Sequence, residues 1–152
     1  MWYKKKTKKK DDDLPLFKGQ KIAKKPDYKA KLDKVFSMYI RLRDTMPSGY
    51  FKCISCGQIK PFNQADCGHY INRQHMSTRF DEMNCNAQCR KCNRFEEGNI
   101  QGYRKGLIDK YGEQKVILLE SKKNTTRKFS DFEYKALIKY YTTLVKKMQS
   151  EI

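Results

Sequence analysis

The sequence predicts an α+β fold: a small mixed core stapled by zinc, flanked by N- and C-terminal helices. Three observations carry that expectation. All six cysteines lie between Cys53 and Cys92, and four of them form two CxxC pairs, Cys53/Cys56 and Cys89/Cys92. Between the pairs, residues 66–72 and 84–88 are short and mixed in polarity, as strands at a metal site are. On both sides of this region, apolar residues recur at three- and four-residue steps, the period of a helix that buries one face.

The whole chain sets the bounds. At 152 residues, with 38% hydrophobic and 34% charged content, it should form one compact domain with a modest core. A bound metal is one way to stabilise such a domain. No apolar run is long enough to span a bilayer, and the lysines after Met1-Trp2-Tyr3 are not a signal peptide, so a cytoplasmic location is expected. Lys+Arg is 34 against Asp+Glu 17, a formal charge of +17. That excess points to a polyanionic partner, nucleic acid before a membrane surface.

Residues 1–26 read as a flexible basic arm. Two lysine triplets, Lys4-Lys5-Lys6 and Lys8-Lys9-Lys10, precede Asp11-Asp12-Asp13, and Pro15 and Pro26 interrupt regular structure. Residues 27–49 hold an N-terminal helix. Asp27 is its N-cap, Leu32, Val35, Phe36, Tyr39 and Ile40 form its apolar stripe, Leu42 and Met46 extend it, and Pro47-Ser48-Gly49 ends it.

Residues 50–112 form the core. Each CxxC is a tight turn that points two thiolates at one centre, and Gly57 permits the backbone bend after the first. One CxxC alone is ambiguous between redox and metal chemistry. Two of them, with Cys56 and Cys89 33 positions apart, favour a single zinc site built from four cysteines, and the absence of a secretory signal argues against disulfides. Cys67 and Cys85 then remain as small buried residues or free thiols. The local order reads strand, loop over residues 73–83, strand, and a helical segment carrying Arg94, Phe95 and Glu96. Gly98-Asn99 breaks the chain before a helix that ends at Gly112.

The order CxxC, Gly68-His69-Tyr70, Asn84, then CxxC followed by Asn93 resembles an HNH-type (ββα-metal) nuclease. More closely, residues 65–112 resemble the phage recombination endonucleases of the NinG/Rap family, which cut branched DNA such as Holliday junctions and D-loops. The resemblance implies a ββα-metal core. It implies that His69 is the general base and that Asn84 orients that base or tightens the loop. Asn93 would be a ligand of a catalytic Mg²⁺ or Mn²⁺. Gly68 stands where these enzymes usually carry a metal ligand, so Asp66 is the substitute candidate. Arg73, Arg79 and Arg94 are the expected phosphate contacts. An imidazole that titrates near neutrality suits proton abstraction from water, and oxygen ligands suit a hard cation while thiolates suit zinc.

Residues 113–152 read as a helical extension. A short helix has Val116, Ile117, Leu118 and Leu119 as core, and residues 122–128 form a basic linker. Ser130 and Glu133 make a capping box, with Phe129 and Tyr134 as its hydrophobic staple. Leu137, Tyr140, Tyr141, Leu144, Val145 and Met148 then form one stripe, for core packing or for a homodimer face. The leading expectation is a structure-selective endonuclease on branched DNA. The alternatives are a non-catalytic zinc-bearing nucleic-acid-binding protein, and an HNH nickase of ordinary duplex DNA.

Overall fold

The structure is a computed structural model that describes residues 26–151; all but Pro26 of the basic arm expected over residues 1–26 lies outside the described residues. The first helix, α1, spans Tyr28–Arg43, and the Asp27 carboxylate accepts the Ala30 N–H at 2.9 Å as its N-cap. Leu32, Phe36, Tyr39 and Ile40 are buried. The helix stops short of Pro47. Asp44 leaves it and turns inward to accept the Ala87 N–H at 2.8 Å, and Thr45 bridges to Phe51. Met46 is exposed, so the stripe ends at Leu42.

Two antiparallel hairpins follow. β1 (Tyr50–Lys52) pairs with β2 (Ile59–Pro61) around the first CxxC turn. There Gly57 has φ +71° and donates its N–H to the Cys53 carbonyl at 2.9 Å. β3 (Ala65–His69) pairs with β4 (Cys85–Cys89), with Ala65 opposite Cys89 and His69 opposite Cys85. The second CxxC leads into one wide π-helical turn, Lys91–Phe95, where an ordinary helix was expected. Its width shows in the Glu96 N–H, which bonds to the Lys91 carbonyl at 3.2 Å, five residues back.

Three helices complete the chain. α2 (Ile100–Tyr111) starts at Asn99, whose side chain accepts the Gly102 N–H, and ends at Gly112 with φ +88°. α3 spans Glu113–Ser121 and α4 spans Asp131–Ser150. The capping box of α4 forms as expected: Ser130 Oγ accepts the Glu133 N–H at 3.2 Å, and Glu133 Oε2 accepts the Ser130 N–H at 2.8 Å. The Phe129 and Tyr134 rings meet 5.4 Å apart beside it. In α3 only Val116 and Leu119, three positions apart, face inward; Ile117 and Leu118 are exposed, because one helix cannot turn four consecutive residues to one side.

Apolar packing falls into three clusters. α1 and α4 lie against each other, with the Phe36 and Tyr141 rings 4.9 Å apart, and Cys85 and Phe80 join them. A small cluster centres on Phe51, Ala65, Ala87 and three cysteines. The third joins Ile71 to Tyr103 and Leu107 of α2 and to Val116 and Leu119 of α3. The stripes of α1 and α4 thus pack on each other, with Tyr140 left exposed. Two tyrosine hydroxyls from this layer, Tyr39 and Tyr141, donate to Glu82 at 2.8 and 3.1 Å and fix the loop ahead of β4. Arg43, at the C-terminal end of α1, turns inward to Asp44, the Glu82 and Cys85 carbonyls and Asn86. Among the described residues no helix is long and apolar enough to cross a membrane.

Candidate functional site

The four paired cysteines converge. The Sγ atoms of Cys53, Cys56, Cys89 and Cys92 all lie within 4.8 Å of one another, and Cys56 and Cys89 are 3.9 Å apart. A tetrahedral zinc with Zn–S bonds of ~2.3 Å needs sulfurs about 3.8 Å apart, so the cluster fits that ion. The Cys89 N–H points at Cys53 Sγ (3.3 Å) and Asn99 Nδ2 at Cys92 Sγ (3.4 Å), as donors to thiolate charge would. Burial pushes the Cys89 and Cys92 thiols up, so a shared cation is what would let the set ionise together. These four side chains could hold a zinc ion.

A cleft of about 290 Å³ opens beside this cluster. His69, Arg73 and Asn93 line it, together with Cys67 and Glu97. His69 ends β3, and its Nε2 lies 3.1 Å from the Arg79 carbonyl. A carbonyl can only accept, so Nε2 carries the hydrogen and Nδ1 keeps the lone pair. Burial lowers the His69 pKa; the bond to the Arg79 carbonyl opposes that shift, and the Arg79 and Arg73 charges reinforce it. The net direction is down, which keeps the imidazole neutral near neutral pH.

Asn84 does not touch His69. It is fully buried, and its side chain accepts the Ile71 N–H at 2.7 Å and donates to the Ile71 and Thr78 carbonyls at 3.0 Å each. It therefore fastens both ends of the loop that presents the Arg79 carbonyl, and acts on His69 only through that loop. Tyr103 plays a matching part from α2. Its fully buried hydroxyl lies 2.9 Å from the Gly68 carbonyl and 3.2 Å from the Asn84 carbonyl. Helical periodicity puts Tyr103 on the packing side of α2, but it carries no sign of the hydroxyl's partners.

Asp66 and Asn93 come together: Asn93 Nδ2 donates to Asp66 Oδ2 at 3.0 Å. Asp66 is also gripped by Arg94 through two bonds of 2.7 Å. Burial pushes the Asp66 carboxyl up, but the Arg94 and Asn93 hydrogen bonds outweigh it and hold the group below the usual carboxylate range. Arg94, expected to meet phosphate, spends its guanidinium on this carboxylate. Arg79 also departs from expectation: it is 7% exposed, forms a two-pronged ion pair with Asp33 of α1, and donates to the Arg73 carbonyl at 2.7 Å. It holds the loop from inside. Of the three arginines, only Arg73 is exposed at the cleft.

Gly68 has a structural reason. A Cβ there would run into the Gln88 side chain, which crosses the strand pair to donate to Ser55 Oγ (2.7 Å) and to the Gly98 carbonyl (2.5 Å). A larger residue at 68 would expel that bridge. Glu97 is exposed and also lines the cleft, with φ +48°, a conformation costly for a non-glycine residue.

The family model described as Bacteriophage Lambda NinG protein matches residues 2–151 of the chain. The chain belongs to the NinG family. Proteins named ninG from Escherichia phage 933W and Escherichia phage lambda are 38% and 37% identical to it over 114 residues, 72% of this chain and 54% and 53% of theirs. The ninG protein of Salmonella phage P22 is 38% identical over 108 residues, 68% of this chain and 50% of its own. The chain thus spans about half the length of the NinG proteins it matches. No solved structure matches it.

Proposed function

We propose that this NinG chain is a metal-dependent endonuclease of the HNH type that hydrolyses phosphodiester bonds in branched DNA in the host cytoplasm. One observation carries the reading. A neutral His69, with its hydrogen fixed on Nε2 and its lone pair on Nδ1, lines a cleft shared with Asn93, Glu97 and Arg73.

In this reading His69 Nδ1 takes a proton from the attacking water. The Arg79 carbonyl holds the ring in the productive tautomer and stabilises the imidazolium that forms. Arg73 neutralises the scissile phosphate. Asn84 and Tyr103 keep the loop and β3 in register behind the base. The hard oxygen donors at the cleft, Asn93 and Glu97, fit Mg²⁺ or Mn²⁺, with Asp66 orienting Asn93 or joining once Arg94 exchanges away. Such an ion would supply charge neutralisation at the leaving oxygen. The formal charge of +17 supports DNA as the partner.

A second reading is a zinc-bearing DNA-binding protein without catalysis, favoured by the grip of Arg94 on Asp66. One assay separates them: a labelled four-way junction and a linear duplex are each incubated with the protein in Mg²⁺, Mn²⁺ or EDTA. Metal-dependent cutting of the junction, lost in His69→Ala with zinc content unchanged, is the expected result. Binding without cutting in every condition would establish the second reading. Equal cutting of both substrates would make the chain a duplex nickase.

A further inference from the structure

We propose that Cys67, His69 and Cys85 form a second metal site, for a thiophilic ion such as zinc, that withdraws His69 from catalysis. The consequence for catalysis rests on the reading of His69 as the base; the site itself does not.

The ligand atoms of the three residues all lie within 4.8 Å of one another. The strand register explains why. Cys67 and His69 are two apart on β3 and so project from one face, and Cys85 sits directly across from His69 on β4. Cys85 is fully buried, whereas Cys67 and His69 line the cleft, so an ion has a path in from solvent. Cys85 Sγ and His69 Nε2 already converge on one atom, the Arg79 carbonyl oxygen, at 3.5 and 3.1 Å. Two sulfurs and an imidazole are a soft donor set, distinct from the oxygen donors Asn93 and Glu97 at the same cleft. Three protein ligands with a fourth position left for solvent is a stable arrangement for zinc.

A disulfide is the less suitable product. Cys67 faces Ala87, not Cys85, so the two cysteines are diagonal neighbours. Diagonal residues stand about 7–8 Å apart at the Cα atoms, beyond the span an unstrained disulfide accepts.

Zinc binding here forms two Zn–S bonds and one Zn–N bond, and the two thiol protons leave to solvent. If zinc takes Nε2, the imidazole hydrogen moves to Nδ1; if it takes Nδ1, the lone pair is used directly. In both cases His69 can no longer accept a proton from water. The chain would then carry two zinc sites of unequal role, one that holds the fold and one that silences the cleft.

The test counts metal on the full chain under reducing conditions. Zinc is titrated against a competing chromophoric chelator, and cobalt substitution reports thiolate ligation by its charge-transfer absorption. The wild type should bind two equivalents. Cys67→Ser and Cys85→Ala should each bind one, with helical circular dichroism and the first equivalent unchanged. A wild type that binds one, or variants that still bind two, would overturn the site. In the cutting assay, added zinc should abolish junction cleavage by the wild type and spare Cys67→Ser. Equal inhibition of both would overturn the switch. If neither protein cuts in Mg²⁺ before zinc is added, the nuclease reading fails while the metal counts still decide the site.

Discussion

Removing one oxygen atom from α2 tests how the cleft is held. Tyr103 is fully buried, and its hydroxyl reaches the Gly68 carbonyl at 2.9 Å, the Asn84 carbonyl at 3.2 Å and Asn86 Nδ2 at 3.4 Å. Tyr103→Phe keeps the ring and its packing but takes the hydroxyl from the Gly68 carbonyl in a site closed to solvent, while the Asn84 carbonyl keeps the Tyr70 N–H and Asn86 Nδ2 keeps the Met83 carbonyl. One lost buried hydrogen bond, with a share of the cost of an orphaned acceptor, amounts to about 2 kcal/mol. For a chain of this size that is a fall in Tm of about 4–8 °C. Tyr70→Phe is the control. Its hydroxyl donates to Glu120 at 2.6 Å, but Glu120 is a third exposed and also held by Arg104, so water and Arg104 replace the loss. That variant should cost less than about 1 kcal/mol. Urea unfolding midpoints at constant slope measure both. Equal losses, or a Tyr103→Phe loss below about 0.5 kcal/mol, would show that the hydroxyl is not what ties α2 to β3.

Other perturbations give equally definite expectations. Arg79→Ala breaks a largely buried ion pair with Asp33 and should cost about 3 kcal/mol by urea unfolding, whereas Arg73→Ala should leave stability within about 0.5 kcal/mol. Arg73→Ala should instead weaken junction binding and reduce the salt dependence of log K by about one, so the reverse pattern would exchange the two roles. Zinc chelation, or Cys89→Ser, should abolish the cooperative unfolding transition; a transition that persists without metal would remove zinc from the folding account. The His69 pKa is shifted down from 6.5, so the folded chain binds that proton less readily than the unfolded one. The resulting stability is present above pH 6.5 and lost as pH falls toward the lowered value. Cleavage in Mg²⁺ should likewise hold level through pH 6.5 and decline only on the acid side, and a decline that begins above 6.5 would contradict a buried neutral base.

The parts of the fold visible in the sequence are those set by neighbours a few residues away. Asp27 and Ser130 cap the helices they precede, Gly112 ends α2, and each CxxC turn brings its own two thiols together, all because the physics acts within one turn. What stayed hidden depends on partners distant in sequence. Arg79 reads as a loop cation until Asp33, 46 residues earlier, is placed beside it. Arg43 shows its inward role only once the Cys85 carbonyl of β4, 42 residues on, is placed beside it. The triad Cys67, His69, Cys85 needs the strand register, which turn spacing does not supply. The place of Glu97 at the cleft shows only once the chain past the wide turn Lys91–Phe95 is folded.

The Gln88 amide that crosses above Gly68 joins two parts of the molecule with separate duties. One end of its reach is Ser55, inside the first cysteine turn, and the other is Gly98, on the wall of the cleft. The cysteine clamp and the cleft wall therefore move as one piece. Drift among relatives that reshapes the clamp would also reshape the wall. Changes in substrate preference are then easiest to accept at positions outside this linkage, such as Arg73 and Ile100 on the open side.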